Sequence, residues 1–201
     1  MIKTLIFDLG GVIVPFEFRR AYQALDGRCP YSAEEIPRRI GSTDLVRRLE
    51  TGQIEARDFV DQLTRLLEVK LDYDEFRLLW SSIFLPETLV PDSLLAALGA
   101  RYRMLLLSNT NVIHFEMIRE AYPLLGHFDH FVLSYQVGAL KPAARIYHAA
   151  LEQARCRPEE CFFTDDIPVY VEAARRERID AVRFTGLAQL ESDLRQRGVE
   201  W

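Results

Sequence analysis

TLIFDLGGVIVPF, residues 4–16, is the stretch on which the rest of the chain turns. A short apolar run rich in Leu, Ile and Phe delivers Asp8 to the end of a strand, and the Gly10-Gly11 pair punctuates it. Working outward, the same grammar recurs. RMLLLSN (103–109), HFVLS (130–134), CFFTDD (161–166) and DAVRF (180–184) read as further strands. Between and after them lie helical patterns: VIHFEMIREAY (112–122), a run from Pro142 to Arg155 with proline in its first turn, PVYVEAARRER (168–178) and LAQLESDLRQR (187–197). Short apolar strands alternating with helices specify a parallel α/β sheet, doubly wound and Rossmann-like, with helices on both faces.

Residues 16–85 break that rhythm. SAEEIPRRI, STDLVRRLETG, IEARDFVDQLTRLLEV and DYDEFRLLWSSIF read as successive amphipathic helices with no strand among them. Ser42 and Asp72 stand where N-caps belong, and Gly52 and Pro86 punctuate ends. The chain therefore divides into an α/β core, 1–15 with 86–201, and an inserted small α-helical cap, 16–85. Such a block serves either as a lid over the carboxyl ends of the strands or as a peripheral stabilising bundle.

Composition narrows the function classes. The 201 residues, 49% hydrophobic and 27% charged, are ordinary for a globular protein with a sizeable core. A net charge of −5 gives no electrostatic reason to expect nucleic acid or an anionic membrane as partner. Only three of the 25 basic residues are lysines, Lys3, Lys70 and Lys141, which singles each of them out. Cys29, Cys156 and Cys161 are odd in number, with no spacing that suggests a bridge or a metal site. They read as reduced thiols in a cytoplasmic protein. The first apolar run is too short for a signal peptide or a membrane span. Oligomeric state is not encoded in any pattern here.

Four strand ends carry groups suited to one reaction. Asp8 follows the first strand, Ser108 and Asn109 end the second, Asp165 and Asp166 end the fourth, and Lys141 precedes the helix after the third. Parallel strands bring such ends to one edge of the sheet. A carboxylate can attack phosphorus. Mg²⁺ takes hard oxygen ligands. A hydroxyl, backbone N–H groups and an ammonium can hold phosphate oxygens. Singly, each group is more often a turn or cap residue; jointly and in this order they form a site.

The order itself resembles the haloacid dehalogenase (HAD) superfamily, mostly Mg²⁺-dependent phosphatases. FDLGGVIV resembles its first motif, LLLSNTN its second, VGALKPAARIYHAAL its third and FFTDDIPVYVEAA its fourth, while RRLETGQIEARDF resembles its small helical cap. Among branches, FDLGGVIV, LSNTN and KPAARIY are most similar to the bacterial α-D-glucose-1-phosphate phosphatase-like enzymes. The resemblance implies Asp8 as nucleophile and Mg²⁺ ligand. It implies Ser108 and Asn109 as phosphoryl-binding, and Lys141 as the charge between Asp8 and phosphate. Asp166 becomes the main metal carboxylate, with Asp165 ligating or orienting waters. The expected substrate is a small phosphorylated metabolite, glucose 1-phosphate being one.

Gly10 departs from the family pattern, in which an aspartate offers a carbonyl to Mg²⁺ and a side chain as acid/base. Glycine keeps the carbonyl and loses the side chain, a loss of roughly 10²–10⁴-fold for general acid–base catalysis. The sugar-phosphatase branch tolerates glycine here, and an anomeric oxygen leaves more easily than an ordinary alcohol. Glu17, at the start of the cap, and His114, six residues past Ser108, are the replacements in view, His114 doubling as a substrate contact. HFDH (127–130) lacks further ligands and reads as a loop. Four rivals remain. A non-catalytic phosphate- or metabolite-binding protein is the one from another class. A 2-haloacid dehalogenase would need no metal. A phosphonoacetaldehyde hydrolase-like enzyme would need a cap lysine, for which Lys70 is the only candidate. A mutase would lean on the missing acid/base.

Overall fold

A computed structural model describes residues 1–201. Five strands, β1 (Thr4–Phe7), β2 (Arg103–Ser108), β3 (His130–Leu133), β4 (Cys161–Asp165) and β5 (Asp180–Arg183), form one parallel sheet in the order β3-β2-β1-β4-β5. β1 is central: Phe7 stands opposite Leu106 on one side and Thr164 on the other. The chain reverses its direction across the sheet between β1 and β4, the place where open α/β sheets bind ligands at their carboxyl ends.

The helices are α1 (Phe18–Ala24), α2 (Glu35–Gly41), α3 (Leu45–Glu50), α4 (Ala56–Leu66), α5 (Tyr73–Ser81), α6 (Asp92–Gly99), α7 (Val112–Ala121), α8 (Ser134–Val137), α9 (Ala144–Ala154), α10 (Pro168–Arg176) and α11 (Leu187–Gln196). Strand side chains alternate between two apolar layers, as the period of two requires. Leu5, Phe7, Met104, Leu106 and Phe162 pack with α6, α7 and α11. Ile6, Leu105, Leu107 and Phe163 pack with α9 and α10 on the opposite face. Helices on both faces make the doubly wound arrangement that the sequence predicts.

α1 to α5 form the helical block, with an apolar cluster of their own that includes Leu25, Ile36, Phe59, Leu63 and Phe76 and reaches Ile113 on α7. The two segments joining block to core run side by side. Phe16 and Phe84 form an antiparallel bridge, Glu17 N donates to the Ile83 carbonyl at 2.8 Å, and Leu85 N donates to the Pro15 carbonyl at 3.0 Å. A separate contact lies beyond α3. Gly52, at φ +66°, sits so close to the core that an added Cβ would fall 2.2 Å from the carbonyl oxygen of Tyr135 on α8. Only glycine fits there.

Several local expectations need correction. Ser42 does not cap α3: its hydroxyl donates to the Arg39 carbonyl at 2.7 Å, closing α2, and α3 begins after Asp44. Asp72 does cap α5, in a reciprocal box with Glu75. α9 starts at Ala144, not Pro142, because Asn109 holds the main chain of Lys141 outside the helix. Cys156 and Cys161, whose spacing suggested no relation, lie with their Sγ atoms 3.5 Å apart as free thiols. His127 pairs with Asp92, and Asp129 accepts from Met104 N, so HFDH forms no cluster. No helix is long and apolar enough to cross a membrane.

Candidate active site

Asp8 leaves the end of β1 with its backbone N–H still bonded to the Thr164 carbonyl at 3.0 Å, so the ladder to β4 fixes it beside Asp165. Lys141 arrives from the loop before α9 and is clamped there by Asn109. The Asn109 Oδ1 accepts from Lys141 N at 2.7 Å and its Nδ2 donates to the Lys141 carbonyl at 3.0 Å. The Lys141 ammonium has three donors and three acceptors: Asp8 Oδ1 at 2.7 Å, Asp165 Oδ2 at 2.6 Å and the Leu107 carbonyl at 3.2 Å. The side chains of Lys141, Asp8 and Asp165 are 1%, 9% and 0% exposed. Asp8 is therefore the one of the three that opens to the strand edge.

Electrostatics follow from that burial. Desolvation raises the Asp8 carboxyl above its ordinary value; Lys141 opposes the rise and Asp165 adds to it. Burial alone would lower Lys141, but the two carboxylates outweigh it and hold the ammonium above its ordinary value. Asp166 is raised by burial first and by Asp165 second.

One oxygen from each of Asp8, Asp165 and Asp166 lies within 4.8 Å of the others. Asp165 brings both of its oxygens already engaged, Oδ2 by Lys141 and Oδ1 by Ile167 N at 2.9 Å. Asp166 brings a buried Oδ1 with no hydrogen-bond partner. Its carboxylate lies against Gly11, at φ +80°, where an added Cβ would fall 2.7 Å from Oδ2. The Gly10 carbonyl accepts no hydrogen bond from the chain. Orphaned, hard oxygen donors around a single ammonium suit a divalent cation such as Mg²⁺, held by Asp8, Asp166 and the Gly10 carbonyl, with Asp165 beside them.

A cavity of about 110 Å³ opens next to this cluster, between the strand edge and the helical block. Ser108, Asn109, Thr110 and Asn111 form its polar end, and eight of the fifteen lining residues are apolar, Phe16, Val46, Trp80 and Phe84 among them. The Ser108 hydroxyl makes no hydrogen bond to protein. The Asn109 side chain is committed to Lys141, so its backbone N–H is what remains for an anion. His114 lines the wall, yet both ring nitrogens are occupied. Nε2 donates to the Trp80 carbonyl at 3.2 Å and Nδ1 accepts from Asn111 Nδ2 at 3.2 Å, tying α7 to α5. Burial pushes this imidazole down to about 4. Glu17 is exposed and outside the cavity.

Among the lining residues that the sequence did not single out, two bear on position 10. Phe16 fills the place of the missing side chain at Gly10: a Cβ there would meet its ring at 2.9 and 3.2 Å. Glu50, the last residue of α3, enters the cavity wall from the helical block. The only sequence signal for Glu50 is its place beside Gly52 in the cap-like RRLETGQ stretch.

Comparison with known proteins places this arrangement. A model of the haloacid dehalogenase-like hydrolases matches residues 2–177. The chain is similar to a D-ribitol-5-phosphate phosphatase from Bacteroides thetaiotaomicron, 32% identical over 83% of this chain and 84% of that one. It is also similar to a phosphatase from Mycobacterium tuberculosis, 28% identical over 87% and 83%. Among solved structures, a HAD family enzyme from Bacteroides thetaiotaomicron in complex with magnesium and inorganic phosphate superposes with a TM-score of 0.82 at 26% identity, covering 92% of this chain and 96% of that one. The strand order, the carboxylates at the strand edge and a family match over most of the length converge: the chain belongs to the haloacid dehalogenase-like hydrolase family.

Proposed function

We propose that the protein is an Mg²⁺-dependent phosphatase that hydrolyses the phosphate ester of a small polyhydroxylated metabolite through an aspartyl-phosphate on Asp8. The observation that carries the reading is the Asp8 carboxylate, held by Lys141 through one oxygen, beside the unpartnered Asp166 carboxylate and next in the chain to Leu9 and Gly10, which line the cavity. Lys141 fixes the Asp8 carboxylate so that its other oxygen is the one presented to phosphorus. Ser108 and the backbone N–H of Asn109 hold the phosphoryl oxygens, and the apolar wall of the cavity excludes bulk water from the intermediate. When bound, Mg²⁺ supplies positive charge to the phosphoryl group and to Asp8, which lowers their mutual repulsion. The helical block is the cap that closes the cavity.

The relatives support the choice of leaving group: the similar enzyme from Bacteroides thetaiotaomicron takes D-ribitol 5-phosphate, an open-chain polyol ester, and the sequence branch points to glucose 1-phosphate. Phosphonate cleavage has less support, because Lys70 is exposed and outside the cavity. The test is phosphate release from D-ribitol 5-phosphate, glucose 1-phosphate, glucose 6-phosphate and glycerol 3-phosphate, with Mg²⁺ or EDTA, beside Asp8→Asn. Release that needs Mg²⁺ and vanishes in the variant supports the proposal. Mg²⁺ binding without release from any ester makes the chain a binding protein instead.

A further inference from the structure

An Asp8-centred phosphatase still needs a proton for the departing alcohol and a base for the incoming water, and position 10 supplies neither. The space beside Gly10 is not vacant for a mobile water-borne acid, because the Phe16 ring occupies it. Only two residues lining the cavity titrate, His114 and Glu50. His114 has both nitrogens bonded to protein and is neutral, with its one N–H given to the Trp80 carbonyl. Glu50 is different. It is half-buried, and its carboxyl forms no hydrogen bond and no ion pair. Arg47 and Arg48 on its own helix, and the charged residues of α4, leave it unpaired; burial is the sole cause of a carboxyl pushed up to about 7.

Nothing in the folding of α3 asks for this residue. A carboxylate at a helix C-terminus opposes the helix dipole, and a half-buried unpaired one adds a desolvation cost. The cavity has a volume of about 110 Å³. Gly10, Ser108 and Glu50 all line it, so a group bound there is shared between the strand edge and the helical block. Gly52, two residues on, docks against Tyr135 and fixes the end of α3 at the core.

We infer that Glu50, reaching in from the helical block, is the acid and base that position 10 lacks. The inference rests on the phosphatase reading above. In the first half-reaction the Asp8 carboxylate forms a bond to phosphorus. The bond from phosphorus to the ester oxygen breaks with its electron pair on that oxygen, which takes the Glu50 proton and leaves as an alcohol. In the second half-reaction Glu50, now a carboxylate, takes a proton from water as the water oxygen bonds to phosphorus. The bond from phosphorus to Asp8 breaks, its electron pair returns to the carboxylate, and inorganic phosphate departs with Asp8 and protonated Glu50 restored.

The experiment compares wild type, Glu50→Gln and Glu50→Asp on the panel ester that the wild type hydrolyses fastest and on p-nitrophenyl phosphate, whose leaving group needs no proton. Glu50→Gln should lose about 10²-fold or more in kcat on the panel ester. On p-nitrophenyl phosphate it should still release a rapid burst of about one nitrophenolate per active site and then stall, because hydrolysis of the intermediate has lost its base. Glu50→Asp should recover part of both rates. A higher KM with kcat unchanged would make Glu50 a substrate-hydroxyl contact and overturn the assignment. Equal losses on both compounds without a burst would overturn it too. Wild type inactive on every ester would instead remove the phosphatase reading, and this inference with it.

Discussion

Position 10 shows how one residue redirects a site. With Phe16 packed where a side chain would project, Gly10→Asp cannot simply reinstate an acid. Phe16 is 38% exposed, so its ring can swing outward, at the cost of its edge-on contact with Phe18. Gly10→Asp alone should therefore gain less than about threefold in kcat. Combined with Phe16→Ala in the Glu50→Gln background, it should restore about tenfold or more of the lost kcat, within the range of general acid catalysis. His114 makes a separate prediction. It is held at about 4 in the fold and returns to about 6.5 in the unfolded chain. Between those values the unfolded chain binds the extra proton. The His114 contribution to stability is thus complete above about pH 6.5 and falls by about 1.4 kcal/mol per pH unit down to about 4. Glu50 and Asp8, both raised by burial, act in the opposite sense over the same range, so the His114 slope should appear as the difference between urea titrations of the wild type and of His114→Gln from pH 4.5 to 7.5.

At the scale of elements, the contact between the end of α3 and α8 joins the helical block to the core. Gly52→Ala adds a methyl group 2.2 Å from the Tyr135 carbonyl at a backbone angle that alanine resists. We expect kcat/KM to fall about tenfold or more and amide exchange to quicken in α3 and α8, while the sheet keeps its protection; unaltered exchange would mean that the contact does not hold the block down. The elements also show where sequence reading succeeds. Asp8, Ser108, Asp165 and Lys141 were legible because each sits at a strand end or a motif whose pattern is local. Ser42 misled because a serine satisfies the last turn of one helix as readily as the first turn of the next. Phe16 and Glu50 were illegible for a different reason: their roles arise only when the block is laid against the strand edge, a placement that no spacing along the chain encodes.

For the whole molecule the decisive quantity is charge. Three buried or half-buried carboxylates face a single lysine, and the apo fold bears that repulsion. Mg²⁺ should therefore raise the Tm progressively with concentration, by a stability of about 2.7 kcal/mol at a hundredfold excess over its Kd. Asp166→Asn should abolish most of the rise while folding normally, as read by differential scanning calorimetry with and without EDTA. The fold itself was legible almost throughout, since the alternation of strand and helix carries it. The gathering of Asp8, Asp165 and Asp166 was legible as a list of residues, but not the arrangement in which Asp165 anchors Lys141 and Asp166 stays unpartnered.

The paired linkers at Phe16 and Phe84 have one further consequence. Because the two segments are hydrogen-bonded to each other, we expect the helical block to move about that shared joint rather than on two independent tethers. We expect entry of substrate and exit of product to require Gly52 to come away from Tyr135, a step of each cycle distinct from the breaking of a bond to phosphorus.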